Sequence, residues 1–358
     1  MRVGTPTVKP YPWNVPDGDG YAGPVRSGDR RPTLADVAAR TGASKSLVSL
    51  VMRGEPGASA DTRRRILDVA EQLGYHPDSR ARLLRSGRSR LLGVVFGIQH
   101  AFHGDLVTAL YTAAGQTGYE LALSAVTPDR PETEAIASLL QDRCEALILL
   151  GPQSSAANVA RLAGRLPVVV LARSIRNPAV DVVRTADADG LRQAVDHLVG
   201  LGHRRIAHID GGRAPGAADR RRGYRDAMHH HGLDADQRIV PGGLTEEDGA
   251  DAARALLADP PTAVTIFNDR CATGALEVFR RYGLAVPADI SVVGYDDSRL
   301  AQLAHVNLTT IAQDTIAMST LAVNRAIDRI ARTGVTQREV VIPPHLVIRG
   351  TTAANTAA

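Results

Sequence analysis

The chain has 358 residues, enough for two or three domains with ample core, and 44% of them are hydrophobic. Its 42 basic and 38 acidic residues leave a formal net charge of +4, unevenly placed: arginines crowd residues 53–90 (Arg63, Arg64, Arg65, Arg80, Arg82, Arg85, Arg88, Arg90). Such crowding points to a polyanionic partner, weighed against a merely solvated surface in a chain whose only lysines are Lys9 and Lys45. The two cysteines, Cys144 and Cys271, lie too far apart for a disulfide or metal spacing and read as buried free thiols. No signal peptide or membrane-length apolar run occurs, so a soluble cytoplasmic protein without membrane contact is expected.

Residues 1–31, rich in Pro and Gly and without apolar period, read as a disordered leader. From Pro32 a helical head of residues 32–76 is expected. Thr33 caps a helix with Leu34, Val37, Ala38 and Thr41 on one face and Asp36 at the capping-box position. Gly42 and Ala43 break it, and Ser44 caps a second helix reaching about Arg53. A third follows Ser59, keeps Ile66, Val69, Ala70 and Leu73 inward, and stops at Gly74. Three short helices with a tight first turn make a bundle of helix-turn-helix type. The second helix sets Ser44, Lys45, Ser46 and Ser49 beside apolar Leu47, Val48, Val51 and Met52, so one face must pack while the other stays free for something polar. Residues 77–90, "DSRARLLRSGRSR" at their heart, form an arginine-laced linker too short to hold a helix in water alone.

Beyond Leu91 apolar runs alternate with helix-like segments: "LLGVVFGI", "YELALSAV", "EALILLG", "PVVVLA", then "HRRIAHIDG", "AVTIFND" and "DISVVGYDD". Continuous apolar runs between helices indicate parallel strands covered on both faces, and their number suggests two doubly wound α/β subdomains. In such sheets ligands bind beyond the carboxyl ends of strands, where Asn268, Asp269, Asp296 and Asp297 fall.

The segments "TLADVAARTGASKSLVSLVMRG" and "TRRRILDVAEQLGYHPDSRARLLRSGRSRLLGVV", with "HLVGLGHRRIAHIDG", "GALEVFRRYGLAVPADISVVGYDDS" and "LTTIAQD" further on, resemble the lactose-repressor (LacI/GalR) family of bacterial transcription regulators. The similarity runs from about Thr33 to Gly350 in family order. It implies an N-terminal all-α helix-turn-helix head and a bilobal α/β core of periplasmic-binding-protein type. The lobes would comprise residues 91–185 with 312–342, and 186–311 with 343–354. It also implies a homodimer on a roughly palindromic double-stranded DNA operator, most simply a repressor released by a small sugar or related metabolite.

In that family the second helix enters the major groove. By position Lys45, Ser46, Ser49 and Leu50 would face bases, and Ser44, Arg53, Ser59 and Thr62 would meet phosphates. Leu50 departs from the polar residue many members carry and would make only apolar contact. The linker resembles the family's hinge helix, with Leu84 as the minor-groove wedge and Ala81 and Arg82 beside it. Asp78 stands where the family favours asparagine. For the effector cleft the resemblance assigns Arg220, Asn268 and Asp296 as polar anchors, with Gln313, Leu244 and Phe102 at secondary positions. Arg173 stands where some sugar-binding members place an acid, and would favour an acidic or heavily hydroxylated ligand.

No nucleophile elbow, phosphate loop or dinucleotide fingerprint occurs, so no catalytic residue and no cofactor is expected. The run His229, His230, His231 suggests a metal site only superficially, because consecutive helical side chains diverge. The alternative of a periplasmic-type sugar-binding protein shares the core but would lack the head, and 4% aromatic content suits poorly a sugar clamped between rings.

Overall fold

The computed structural model describes residues 32–52, 54–75, 88–334 and 337–355. They fall into two compact units, a head up to residue 75 and a core from residue 88.

The head holds α1 (Leu34–Thr41), α2 (Lys45–Met52) and α3 (Ala60–Gln72). Each helix starts where a side chain satisfies free backbone N–H groups. The Asp36 carboxylate accepts from the Thr33 N–H at 2.7 Å, Ser44 Oγ from the Leu47 N–H at 3.2 Å, and Ser59 Oγ from the Thr62 N–H at 3.3 Å. Gly42, at φ 65°, ends α1 in the left-handed conformation that a side chain would oppose. Helices this short are marginal alone, so burial must hold them. Val37, Val48, Val51 and Ile66 are each at most 2% exposed and form that shared core, with Ala38 and Ala70 filling between them.

The core is two six-stranded sheets. The N-terminal lobe contains β1 (Leu91–Gly97), α4 (Ala101–Thr117), β2 (Glu120–Val126), α5 (Glu132–Gln141), β3 (Ala146–Leu150), α6 (Ala156–Ala163), β4 (Val168–Leu171) and β5 (Asp181–Thr185). The C-terminal lobe contains α7 (Asp187–Gly200), β6 (Ile206–Asp210), α8 (Ala217–His230), β7 (Arg238–Pro241), α9 (Glu246–Leu256), β8 (Ala263–Ile266), α10 (Asp269–Arg281), β9 (Ser291–Asp296) and β10 (Thr309–Ala312). The chain then returns to the first lobe for α11 (Thr315–Ile330) and β11 (Glu339–Ile342), and ends in the second with β12 (His345–Val347). Strand order is β11-β5-β4-β3-β1-β2 in one sheet and β12-β10-β9-β8-β6-β7 in the other. All pairings are parallel except β12 on β10. Three crossings between lobes follow, at Ala186, residues 313–314 and residues 343–344.

Strand periodicity explains the two-sided burial. In β1, Leu92 and Val94 point to a cluster with Leu106 and Leu110 of α4 and Met318 and Val323 of α11. Their neighbours Leu91 and Val95 point to the opposite cluster with Leu139 of α5 and Val159 of α6. Five strands carry no long apolar run and escaped the sequence reading: β5, β7, β10, β11 and β12. In β10 the reason is chemical. Thr309 and Thr310 are fully buried, and their polarity is satisfied by partners far along the chain: Thr310 Oγ1 donates to Asp269 Oδ1 at 2.6 Å, and the Thr309 N–H to Thr351 Oγ1 at 2.9 Å.

Candidate functional site: the face of the head and the cleft of the core

Packing of the head decides which α2 side chains are presented. Lys45 and Ser46 are exposed, Ser49 is half-buried, and the capping Ser44 is exposed at the helix start. Ser59 and Thr62 lie together at the start of α3, with Ser59 Oγ 2.9 Å from Thr62 Oγ1. Leu50 is half-buried and packs on the head core, and a Cβ on Gly57 would lie 3.2 Å from its Cδ1. The turn after α2 folds back over it. That turn is held by a residue the sequence reading did not single out for it, Arg63, whose guanidinium donates to the carbonyl oxygens of Val51 and Glu55. Arg53, Ala81, Arg82 and Leu84, and Asp78 at the start of the linker, lie outside the described residues.

In the core, the carboxyl ends of both sheets deliver polar groups to one cleft. Arg220, on the first turns of α8, is 5% exposed and lies between two carboxylates. Its Nε is 2.8 Å from Asp187 Oδ1, its Nη2 is 3.8 Å from Asp296 Oδ1, and its Nη1 donates to the Phe267 carbonyl at 2.5 Å. The guanidinium carbon also sits 3.5 Å from the Tyr295 ring centroid and 4.5 Å from that of Phe267. Two rings and two acids therefore fix a charge that could not be buried unpaired. Asp187 is the functional candidate that sequence reasoning missed. Nothing local distinguishes it from Asp189 in the same helix start, and its partner is on another helix.

Asp296 ends β9 at φ 113° and Asp297 follows at φ 52°, values that side chains resist. Such backbone costs about 1–3 kcal/mol per residue and persists only where surroundings over-determine it. Here Gln313 Nε2 donates to Asp296 Oδ1 at 2.7 Å, and Arg349 Nη2 to Asp297 Oδ1 at 2.6 Å. Gln313 Oε1 accepts in turn from Thr185 Oγ1 at 2.5 Å, so a chain of hydrogen bonds joins the end of β5 in one lobe to the end of β9 in the other. Burial pushes the Asp296 carboxyl well above the usual carboxylate range, against the pull of Arg220. The neighbouring Asp269, fully buried, is raised to about 7 for the same reason.

Asn268 caps α10: its Oδ1 accepts from the Cys271 N–H at 2.7 Å, and its Nδ2 donates to the Leu244 carbonyl at 3.3 Å. Leu244 thus enters through its backbone. Phe102 is 7% exposed, lines the cleft and belongs to the N-terminal lobe's core. Arg173 is not brought to this group. Its guanidinium donates to the carbonyls of Pro152 and Ser154 and braces the loop after β3. The positive φ of Ala172 (58°) redirects the chain after β4 just before it.

Beside Phe102, His103 is a second residue the sequence reading passed over. Its Nδ1 accepts from the Gly97 N–H at 3.0 Å, which leaves the proton on Nε2, and its ring stacks on His100 at 4.4 Å. Burial, reinforced by His100, pushes its pKa down to about 3. The cleft interior enclosed by these groups measures about 40 Å³, room for two or three waters. A wider groove of about 620 Å³ shares Asp296 and Gln313 but is otherwise walled by α4, α11 and the segment after β9.

The His103 shift has a sign that can be tested. Between about pH 6.5 and 3 the unfolded chain binds a proton at this imidazole that the folded chain refuses. Stability from this group is complete above pH 6.5 and falls as pH drops, by at most ~1.4 kcal/mol per pH unit. His103→Phe is expected to flatten the loss measured by urea unfolding between pH 7 and 5. His208, lowered to about 4, and Asp269 act alike in both proteins and cancel in the difference. Identical pH slopes would show that the ring titrates as freely folded as unfolded.

Among the described residues no group of three or more His, Cys, Asp or Glu could hold a metal ion, and no helix is long and apolar enough to cross a membrane. His229 instead faces Asp234 at 3.0 Å and His231 faces Asp196 at 2.7 Å. Cys144 and Cys271 are both buried.

Comparison with known proteins covers both units. The family of bacterial regulatory proteins, lacI family, matches residues 33–78, and the periplasmic binding protein-like domain matches residues 195–352. The HTH-type transcriptional regulator GalR of Salmonella typhimurium (strain SL1344) is 32% identical over 325 residues, which is 88% of this chain and 95% of GalR. A LacI transcriptional regulator from a Rhodococcus species is 52% identical with a TM-score of 0.72, over 74% of this chain and 98% of that one. The lac repressor dimer bound to operator and the anti-inducer ONPF superposes with a TM-score of 0.77 at 28% identity, over 91% of this chain and 100% of that one.

Proposed function

Because the chain belongs to the lacI family of bacterial regulatory proteins, we propose that it is a sequence-specific transcriptional regulator, a cytoplasmic homodimer released from a palindromic operator by a neutral, hydroxyl-rich metabolite such as a sugar. The observation that carries this is the coexistence of an exposed polar α2 face with a cleft built around a buried arginine. Lys45 and Ser46, with Ser49, read base edges, while Ser44, Ser59 and Thr62 hold phosphates at helix starts. The related lac repressor is a dimer on its operator, and the same assembly fits a head with one short recognition helix. Residues 77–90 supply the hinge, with Ala81, Arg82 and Leu84 in the minor groove and Arg53 on the backbone. The cleft works by binding, and no residue in it is assigned a catalytic role.

Charge supports a neutral effector. The positive charge at the centre of the cleft is already matched by the Asp187 carboxylate, and Arg173 is committed to backbone carbonyls. An anionic ligand would meet the Asp187 carboxylate with no cation to spare among these groups. Hydroxyls, by contrast, donate to Asp187 and Asp296 and accept from His103 Nε2. Arg173 therefore weighs against the acidic ligand that its position suggested.

The test is selection of bound sequences from random duplex DNA, followed by release with neutral sugars, uronic acids and sugar phosphates in parallel. A two-fold symmetric site should be enriched, held with strong salt dependence, and released by a neutral sugar alone. A ligand at 100 times its Kd should also stabilise the core by ~2.7 kcal/mol in thermal unfolding. Recovery of no symmetric site, or release only by acids, overturns the corresponding half of the reading.

A further inference from the structure

We propose that Arg270 is a latch across the mouth of the cleft, a positioning residue that holds the two lobes together; the proposal rests on the cleft being the effector site. Its guanidinium reaches in two directions. Nε donates to Glu246 Oε2 at 2.6 Å within the C-terminal lobe, and Nη1 donates to the Gln99 carbonyl at 2.5 Å in the N-terminal lobe. A planar fork can satisfy both bonds at once, which the point charge of a lysine cannot do as well.

Both ends of the latch are anchored. On the C-terminal side, Arg270 and Glu246 open α10 and α9, and these helices touch backbone to backbone through two glycines. A Cβ at Gly274 would lie 1.8 Å from the Glu246 carbonyl oxygen, and one at Gly249 would lie 1.9 Å from that of Cys271. No other residue permits that approach. On the N-terminal side, Gln99 lies between Gly97 and His100, whose N–H donates to the Gly97 carbonyl at 3.2 Å. The Gly97 N–H in turn sits on His103 Nδ1. The bond to Gln99 therefore restrains the loop that carries His100 and leads into α4, where His103 lies.

The lobes also meet where a Cβ on Gly151 would lie 3.1 Å from Pro215 Cγ, an apolar touch. The Thr185–Gln313–Asp296 chain joins the lobes at the crossings, where the hinge of any opening must lie. With about 40 Å³ inside, a molecule of sugar size is admitted only when the lobes part and Arg270 releases Gln99. As an ion pair, Arg270–Glu246 contributes little, since the side chains are 27% and 50% exposed. Its value is geometric: Glu246 aims the guanidinium.

The experiment uses the full chain, spin-labelled at Gln153→Cys and Arg213→Cys on the two exposed lips and mixed before assembly with an excess of unlabelled chain, so that only distances within one protomer are read; the native cysteines are buried and do not take label. Inter-label distances are measured by pulsed electron paramagnetic resonance without ligand. The parent should show one narrow population. Arg270→Ala and Arg270→Met should both add a population longer by more than ~2 Å, with far-UV spectrum and melting of the core unchanged. Parent-like distances in both variants overturn the latch. So does opening in the alanine variant alone, because the methionine keeps the packing of the stem and removes only the guanidinium. Neither result depends on which molecule binds, so a failed latch leaves the effector reading intact, and a failed effector screen leaves the latch intact.

Discussion

Arg220→Ala is expected to abolish the response to effector and to destabilise the core by about 3–5 kcal/mol, the cost of leaving buried charge without its partner. The substitution strips the guanidinium from between Asp187 and Asp296 and leaves the Phe267 carbonyl without its donor. It also removes the cation stacked between Tyr295 and Phe267. Instability alone could silence the protein, so a second variant separates the two effects. Arg220→Met with Asp187→Asn removes the opposed charges together and should recover most of the stability, because a paired loss strands less charge. Effector response should remain absent in it, read as sugar-induced release of operator DNA. A double variant that is stable and still released at the parent's sugar concentration would falsify the assignment of this cleft.

Lys45→Ala and Ser46→Ala should act in the opposite way, weakening operator binding while leaving the fold alone. Both side chains are exposed on α2, and neither belongs to the cluster of Val37, Val48, Val51 and Ile66. Each lost base contact costs ~1–3 kcal/mol, so the double variant should bind operator roughly 30-fold to 25,000-fold more weakly. Lys45 also carries a charge, and its loss should reduce the salt slope of nonspecific binding by about one unit, whereas loss of Ser46 should not. The measurement is operator and random-duplex affinity across a salt series, with thermal unfolding as the control. Unchanged operator affinity in both single variants would remove α2 from the groove.

What could be read beforehand followed the reach of the interactions. The starts of α1, α2 and α3 were legible because Asp36, Ser44 and Ser59 each act on an N–H group three residues away. Strands β1, β3 and β4 were legible because burial on both faces demands apolar side chains at every position. β10 was not, since Thr310 becomes an interior residue only through Asp269, 41 positions earlier. The same holds for the cleft. Arg220 and Asp296 stood out by motif and strand end, but Asp187 acquires meaning only from Arg220, 33 positions on. The half-burial of Leu50 was not legible, because it is set by the return of the chain at Gly57 and no property of α2 itself reports that turn.

The three crossings between lobes also set an order of completion during synthesis. β5 emerges at Thr185, yet its neighbour β11 begins at Glu339, after every helix and every strand but β12 of the C-terminal lobe. At ~5–20 residues per second, the edge of β5 waits on the order of 10–30 s for its partner strand. The half-made N-terminal lobe also lacks α11, so Leu92, Val94 and Ile148 have an unfinished cover for that whole interval. Neither lobe is thus a segment that can be cut from the gene and expressed by itself. A nascent chain arrested before residue 315 presents both an open strand edge and a bare apolar sheet face, the two surfaces on which chains aggregate.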